Sequence, residues 1–205
     1  MKHSPRIPPE LIATPAQIEA LTAYLALLEK WQAKINLVSS STLPDAWRRH
    51  VLDSAQLAPI VSRETDTPVI ADLGSGAGFP GMVLAVLGVG ALHLVESDGR
   101  KAAFLNEVRR TTGAKAVVHA ARIEDYTGPA PDIVISRALA PLDKLLGYAS
   151  RIAKPDARAV FLKGRQWRDE LTAARTAWHI EVDHYPSVAD PDGVILDIHA
   201  FKPHL

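Results

Sequence analysis

The stretch Ile70 to Val86, IADLGSGAGFPGMVLAV, carries two overlapping glycine patterns. Gly74, Gly76 and Gly78 read as G-x-G-x-G, whereas Gly76, Gly78 and Gly81 read as G-x-G-x-x-G. Both turn the backbone tightly, keep Cβ atoms out of the way and aim a helix N-terminus at a ligand. The second is the fingerprint of a nicotinamide or flavin dinucleotide and of hydride transfer. The first suits the nucleoside end of S-adenosylmethionine and methyl transfer. Asp72 stands two residues before Gly74, near the end of the strand Val69–Leu73. A carboxylate there attracts the ammonium of S-adenosylmethionine and repels a pyrophosphate. Pro80 removes an N–H from the first helical turn, which weakens a phosphate cradle.

Glu96 ends the next apolar run, 22 residues after Gly74. An acid at that distance accepts hydrogen bonds from both ribose hydroxyls of either cofactor. Glu124, after the third run, is expected near the adenine. Arg137 closes the fourth run and Lys163 the fifth, so both emerge where functional groups gather in an open parallel sheet. The Arg137 guanidinium suits a phosphate, a base face or guanine O6, or else an ion pair with Asp132 or Glu124. Lys163 is its counterpart on the neighbouring strand. His50 and Asp53 lie three apart on a helical stretch, hence on one face. Two residues make no metal site, and we read the pair as structural or as a wall of the substrate site. Arg48, Arg49 and Asn36 are candidate contacts to a substrate. No metal is expected.

Several elements must position these groups. Thr14-Pro15-Ala16-Gln17 is a capping box with proline at the first helical position. Ile18, Leu21, Leu25, Leu28 and Ile35 follow as one apolar stripe. A second helix is expected from Pro44 or Asp45 to Val61, with Trp47, Val51, Ser54, Leu57 and Ile60 inward. SRETDTP, residues 62–68, reads as a connector. Short strands then alternate with helices: VIADL, ALHLVE, KAVVHA, DIVISRA and RAVFLKG, followed by HIEVDHY and GVILDIHAF. Alternation implies parallel crossover units. The last two runs are separated only by the loop PSVADPD and are expected to pair antiparallel. Such a final pair belongs to methyltransferase sheets and not to the dinucleotide fold.

Further stretches make a family resemblance specific. INLVSSSTLPDAWRRHVLDSAQLAP holds Asn36-Leu37, then Arg49-His50 with Asp53-Ser54; ISRALAPL begins at Ile135 and LKG at Leu162. With DLGSGAGFPG and Glu96, Arg100, Lys101 and Phe104-Leu105, these resemble the ribosomal RNA small-subunit methyltransferase G family, formerly glucose-inhibited division protein B. The resemblance implies an α/β, Rossmann-like class I methyltransferase with a seven-stranded, mostly parallel sheet. It implies a helical N-terminal extension, residues 1–64, on a catalytic unit of residues 65–205. It implies S-adenosylmethionine as cofactor and N7 of one guanine in small-subunit ribosomal RNA, or the 30S subunit, as target. Asp72, Gly74, Gly76, Gly78, Phe79 and Glu96 would line the cofactor pocket, Ile123 and Glu124 flank the adenine, and Arg137 lie at the cofactor or target end. Arg137 and Lys163 are the candidate catalytic residues. A methyltransferase of a small molecule or protein is the alternative, and a nicotinamide oxidoreductase the next.

Bulk composition narrows the rest. Lysine plus arginine is 23 and aspartate plus glutamate is 23, so the net charge is zero and no broad basic surface is expected. Arg48-Arg49-His50, Arg100-Lys101 and Arg109-Arg110 are the densest basic patches, each read as a solvated helix face. Cysteine is absent, which excludes disulfides and the cysteine nucleophile of pyrimidine carbon-5 methylation. Strand four ends Ser136-Arg137-Ala138, unlike the Asn/Asp-Pro-Pro-aromatic tetrad of amine methylation. The N-terminus, MKHSPRIPPELIATP, is too polar for a signal peptide, and no run approaches a membrane span. A cytoplasmic monomer is expected.

Overall fold

The computed structural model describes residues 13–63 and 67–204. Most of the stretch MKHSPRIPPELIATP, part of the connector and the expected boundary at 64/65 lie outside them. Five parallel strands carry most of the sheet: β1 (Val69–Leu73), β2 (Ala91–Val95), β3 (Ala116–His119), β4 (Ile133–Arg137) and β5 (Arg158–Lys163). β6 (Trp178–Pro186) and β7 (Val194–Pro203) form the expected antiparallel pair. The sheet order is β3-β2-β1-β4-β5-β7-β6, so β7 inserts between β5 and β6 and runs antiparallel to both. The winding reverses between β1 and β4, which opens a crevice above their carboxyl ends.

The strands are buried on both faces, and their two-residue period divides the core. Ile70, Leu92, Leu94, Ile133, Ile135 and Val160 face one layer, with α1 (Pro15–Gln32), α2 (Gly81–Val86) and α3 (Gly99–Thr112). Ala71, Leu73, Val134, Ala159 and Phe161 face the other, with α4 (Leu142–Ile152) and α5 (Trp167–Ala174). The N-terminal helix therefore shares a core with the sheet. Thr14 and Gln17 close its capping box in both directions, at 2.8 and 3.3 Å. Asp98 caps α3 through the amides of Arg100 and Lys101, and Gly113 ends it in a left-handed turn.

Two expectations for the N-terminal part need correction. Ile18 is exposed, and its place on the buried face is taken by Tyr24, which joins Leu21 and Leu28. Tyr24 stacks on Phe79 and its hydroxyl donates to the carbonyl of Ala77, so one aromatic links α1 to the glycine loop. The expected second helix is broken into a 3-10 turn at Ser40–Asp45, a π turn at Trp47–Leu52 and short α turns at Asp53–Ala55 and Ala58–Val61. Ser54, Leu57 and Ile60 are inward as expected, with Val51, while Trp47 is only half-buried. A π turn widens the helix and frees backbone groups for other partners, and here the cleft supplies them.

Candidate active site

A cleft of about 1010 Å³ lies above the carboxyl ends of β1, β2, β4 and β5. Its lining includes Gly74, Gly76, Phe79, Glu96, Ile123, Glu124, Arg137 and Lys163. The topology thus assembles residues that stand far apart along the chain.

Within the loop the glycines differ in what they do. Gly74, Gly76 and Gly78 have φ of +64°, +56° and +92°, a region that side chains other than glycine seldom adopt. A Cβ on Gly76 would meet nothing nearer than the Gly74 carbonyl at 3.8 Å. That face of the loop opens into the cleft, a cradle for a ligand. A Cβ on Gly78 would instead strike Tyr24, Met82 and Leu105, so Gly78 turns into the core and is no lining residue.

Glu96 is buried beneath this cradle. Its Oε2 accepts from the Gly76 amide at 2.8 Å and its Oε1 from the Asp98 amide at 2.7 Å. Each carboxylate oxygen retains a second acceptor site. Glu96 therefore fixes the loop while standing at the cleft, where ribose hydroxyls would meet it. Ile123 and Glu124, on a 3-10 turn, form the adjoining wall, Ile123 buried and Glu124 exposed.

Asp72 lies elsewhere than expected. It is 0% exposed and does not line the cleft; its Oδ2 accepts from the Gly81 amide at 3.0 Å. Oδ1 is buried without a partner among the described residues. Burial, the largest cause, pushes its pKa up to about 7. Direct contact with a cofactor ammonium is thus replaced by support of the loop from beneath. A folded-state pKa above the unfolded one stabilises the protein below about pH 4, and this contribution is lost as the pH rises through about 7. Asp72→Asn keeps an acceptor for Gly81 but cannot ionise. The variant should gain stability relative to the parent between about pH 5 and about pH 8.5, read from urea midpoints. An equal difference at both pH values would show that Asp72 does not titrate in that range.

Arg137 sits at the end of β4, its side chain 19% exposed. Nη1 donates to Asp53 Oδ2 at 3.3 Å and to the Arg49 carbonyl at 3.2 Å, within the π turn. The guanidinium carbon lies 5.1 Å from the Phe79 ring centre. Its partner is Asp53, and neither Asp132 nor Glu124; Asp132 binds Lys154 and the Val69 amide. Nε and Nη2 have no protein partner among the described residues.

His50 and Asp53 both line the cleft but engage separate groups. The His50 ring stacks on Phe79 at 4.8 Å, and its Nε2 lies 2.8 Å from Thr42 Oγ1. The Thr42 hydroxyl already donates to the Ser39 carbonyl at 2.7 Å, so Nε2 must be the donor to Thr42. Nδ1 then carries a lone pair, buried and unpaired among the described residues. Burial, then Arg137 and Arg49, lower the His50 pKa to about 4, so the ring is neutral at about pH 7.

Asp53 extends the wall toward the β6–β7 connection. Ser187 Oγ donates to its Oδ1 at 3.1 Å, and Gln56 Oε1 accepts from the Val188 amide at 3.0 Å. Arg49 reaches Asp190 at 3.0 Å and the Ala189 carbonyl at 3.3 Å. It is thus held by this wall, while Arg48 is exposed beside Asp45. Ser187 and Asp190 sit in a polar loop without a motif, so the sequence carries no sign of their place at the cleft.

Lys163 also needs correction. Its side chain is 6% exposed, and Nζ lies 2.6 Å from Glu170 Oε2 and 2.8 Å from the Ala140 carbonyl. Its charge is matched inside the protein by Glu170, although the residue still lines the cleft. Glu170 and Leu139 also line the cleft, and no local pattern in the sequence signals either of them. Among the described residues no group of three or more histidine, aspartate or glutamate side chains could hold a metal, and no helix is long and apolar enough to cross a membrane.

Comparison with known proteins agrees with this architecture. A protein of Rhodospirillum centenum named ribosomal RNA small subunit methyltransferase G is 53% identical over 186 residues, covering 91% of this chain and 85% of its own. A protein of the same name from Rhodospirillum rubrum is 52% identical over 181 residues, covering 88% and 89%. The solved structure of M. jannaschii TYW2 in complex with AdoMet shares the fold, with a TM-score of 0.56 at 15% identity over 84% of this chain and 80% of that one. The model of the rRNA small subunit methyltransferase G family matches residues 17–193. A chain with this sheet, this glycine loop and that match belongs to the ribosomal RNA small subunit methyltransferase G family of S-adenosylmethionine-dependent enzymes.

Proposed function

We propose that the protein methylates N7 of one guanine in small-subunit ribosomal RNA, acting as a cytoplasmic monomer. The observation that carries this reading is the meeting of the open face of Gly76 with Arg137 in one cleft, in a chain of this family. Residues 1–64 serve in this reading as an extension whose π turn walls the target side.

The residues present fit the cofactor. Gly74, Gly76, Glu96, Ile123 and Glu124 would hold its nucleoside, with Phe79 at the cleft and Gly78 and Asp72 fixing the loop. When bound, S-adenosylmethionine supplies a methyl group on a sulfonium, which needs no activation. Guanine N7 has an exposed lone pair and carries no proton at neutral pH. The protein therefore needs no base: His50 is buried with its Nε2 bound to Thr42, and Asp53 is engaged by Arg137 and Ser187. Its task is placement, which can supply several kcal/mol, up to about 7–11 in ideal cases. Arg137 fits that task through its unengaged Nε and Nη2. A guanidinium fork reading O6 or a neighbouring phosphate leaves N7 free for transfer.

The test is methyl transfer from labelled S-adenosylmethionine to naked small-subunit RNA and to the assembled subunit, with the modified base mapped. One guanine methylated at N7 is the expected product; label on an exocyclic amine or on protein would overturn the reading. Arg137→Lys keeps the charge but loses the planar fork. Single turnover should fall about tenfold or more while RNA affinity changes little. Turnover equal to the parent would mean that a positive charge suffices.

A further inference from the structure

β4 runs out into a short turn, Ala138 to Pro141, that lines the cleft. Ala138 has φ of +53°, the left-handed region that a residue with a Cβ seldom adopts, and it is the one such non-glycine residue among those described. A conformation of this kind persists only where its surroundings determine it. Here one ion pair holds the residues that follow it. Lys163 Nζ donates to the Ala140 carbonyl at 2.8 Å and meets Glu170 Oε2 at 2.6 Å. The same Oε2 accepts from the Leu142 amide at 2.9 Å. The turn is gripped at Ala140 by the cation and at Leu142 by the anion, and burial of Lys163 strengthens the grip.

The turn delivers Leu139. This side chain is 38% exposed, in a wall otherwise rich in polar groups, and lies directly over the loop: a Cβ on Gly74 would come within 2.6 Å of Leu139 Cδ1. An exposed leucine is unremarkable alone, but one held over a cofactor-type loop by a strained turn has a defined place.

The geometry points to Lys163 and Glu170 as positioning residues that force Ala138 into its left-handed turn and so hold Leu139 over Gly74 as an apolar stop for the incoming base. This rests on the reading of the glycine loop as the methyl donor's site. An apolar stop there sets the approach distance of the guanine and keeps water from the line of transfer. The pair acts through the backbone of the turn and touches neither reactant.

A double-mutant cycle between Lys163→Met and Ala138→Gly tests this. Glycine adopts the left-handed turn without strain, so the turn should need its clamp less in that background. With the parent sequence at 138, Lys163→Met should lower single-turnover methylation roughly 10- to 100-fold. S-adenosylhomocysteine affinity should stay close to the parent's, and amide exchange should quicken at Leu139 and Ala140. In the Ala138→Gly background the same change should cost several-fold less. Equal losses in both backgrounds, or unaltered exchange at the Leu139 and Ala140 amides, would overturn the clamp. If Lys163→Met does not fold, Glu170→Gln replaces it in the cycle, since its amide oxygen still accepts from Leu142. A parent protein that neither binds S-adenosylhomocysteine nor methylates ribosomal RNA would sink the reading of the site, and with it the stop. A parent that does both, with no coupling in the cycle, would sink only the clamp.

Discussion

Valine at position 76 should abolish S-adenosylmethionine binding in a protein that still folds. The Cβ direction of Gly76 meets nothing within 3.8 Å, so the isopropyl group would enter the cleft and not the core. The left-handed φ of +56° makes any side chain there costly, by about 1–2 kcal/mol, with branching at Cβ adding to it. A domain with the usual stability of about 5–15 kcal/mol survives that. Calorimetry with S-adenosylhomocysteine should show no binding heat, while circular dichroism shows a cooperative melt at a lowered temperature. Gly76→Ala should fall between the two. Unchanged affinity in Gly76→Val would remove the loop from the cofactor site.

Two residues along the same motif, the expected result is the opposite. Gly78→Ala should destabilise the fold by about 2–5 kcal/mol, combining the left-handed strain with overpacking. At φ +92° the new methyl would lie 2.5 Å from the Tyr24 hydroxyl oxygen, 2.8 Å from Met82 Cβ and 2.9 Å from Leu105 Cδ2. None of these can yield easily: Tyr24 is bonded to the Ala77 carbonyl, and Leu105 and Met82 are fully buried. Urea unfolding measures the loss, and a change under about 1 kcal/mol would show that α1 and α3 part readily to admit a methyl group. Any fall in cofactor affinity should follow the unfolded fraction, in contrast to Gly76→Val.

The contrast marks where sequence reading reaches its limit. The spacing of Gly74, Gly76 and Gly78 announces the loop, because alternating glycines after an apolar strand suit a backbone that must turn tightly beside a ligand. It cannot say which glycine faces ligand and which faces Tyr24, since that depends on α1, a distant part of the chain. Strands β1 to β5 are legible for the same local reason, and so is the antiparallel pairing of β6 with β7. That β7 lies inside β6 is a matter of topology without a residue signature. The stretch from Pro44 to Val61 reads as one helix by period. The π turn takes its form among tertiary partners, with Arg137 on the Arg49 carbonyl and Ser187 on Asp53. Lys163 illustrates the converse. Its strand-end position is plain from the sequence, but its availability is not, because Glu170 reaches it from a different element.

The wall that Arg49, Asp53 and Gln56 build with Ser187, Val188 and Asp190 also bears on how the protein comes into being. These contacts join residues separated by 131 to 141 positions. During synthesis the first partners emerge long before the second, so the N-terminal segment must wait through the making of the entire parallel sheet. Contacts of such separation form late because chain closure comes before any gain from them. A growing chain can complete the glycine loop and β2 while the cleft still lacks its far wall. The cleft is therefore closed from the loop outward, and its far wall arrives only once the last hairpin is free.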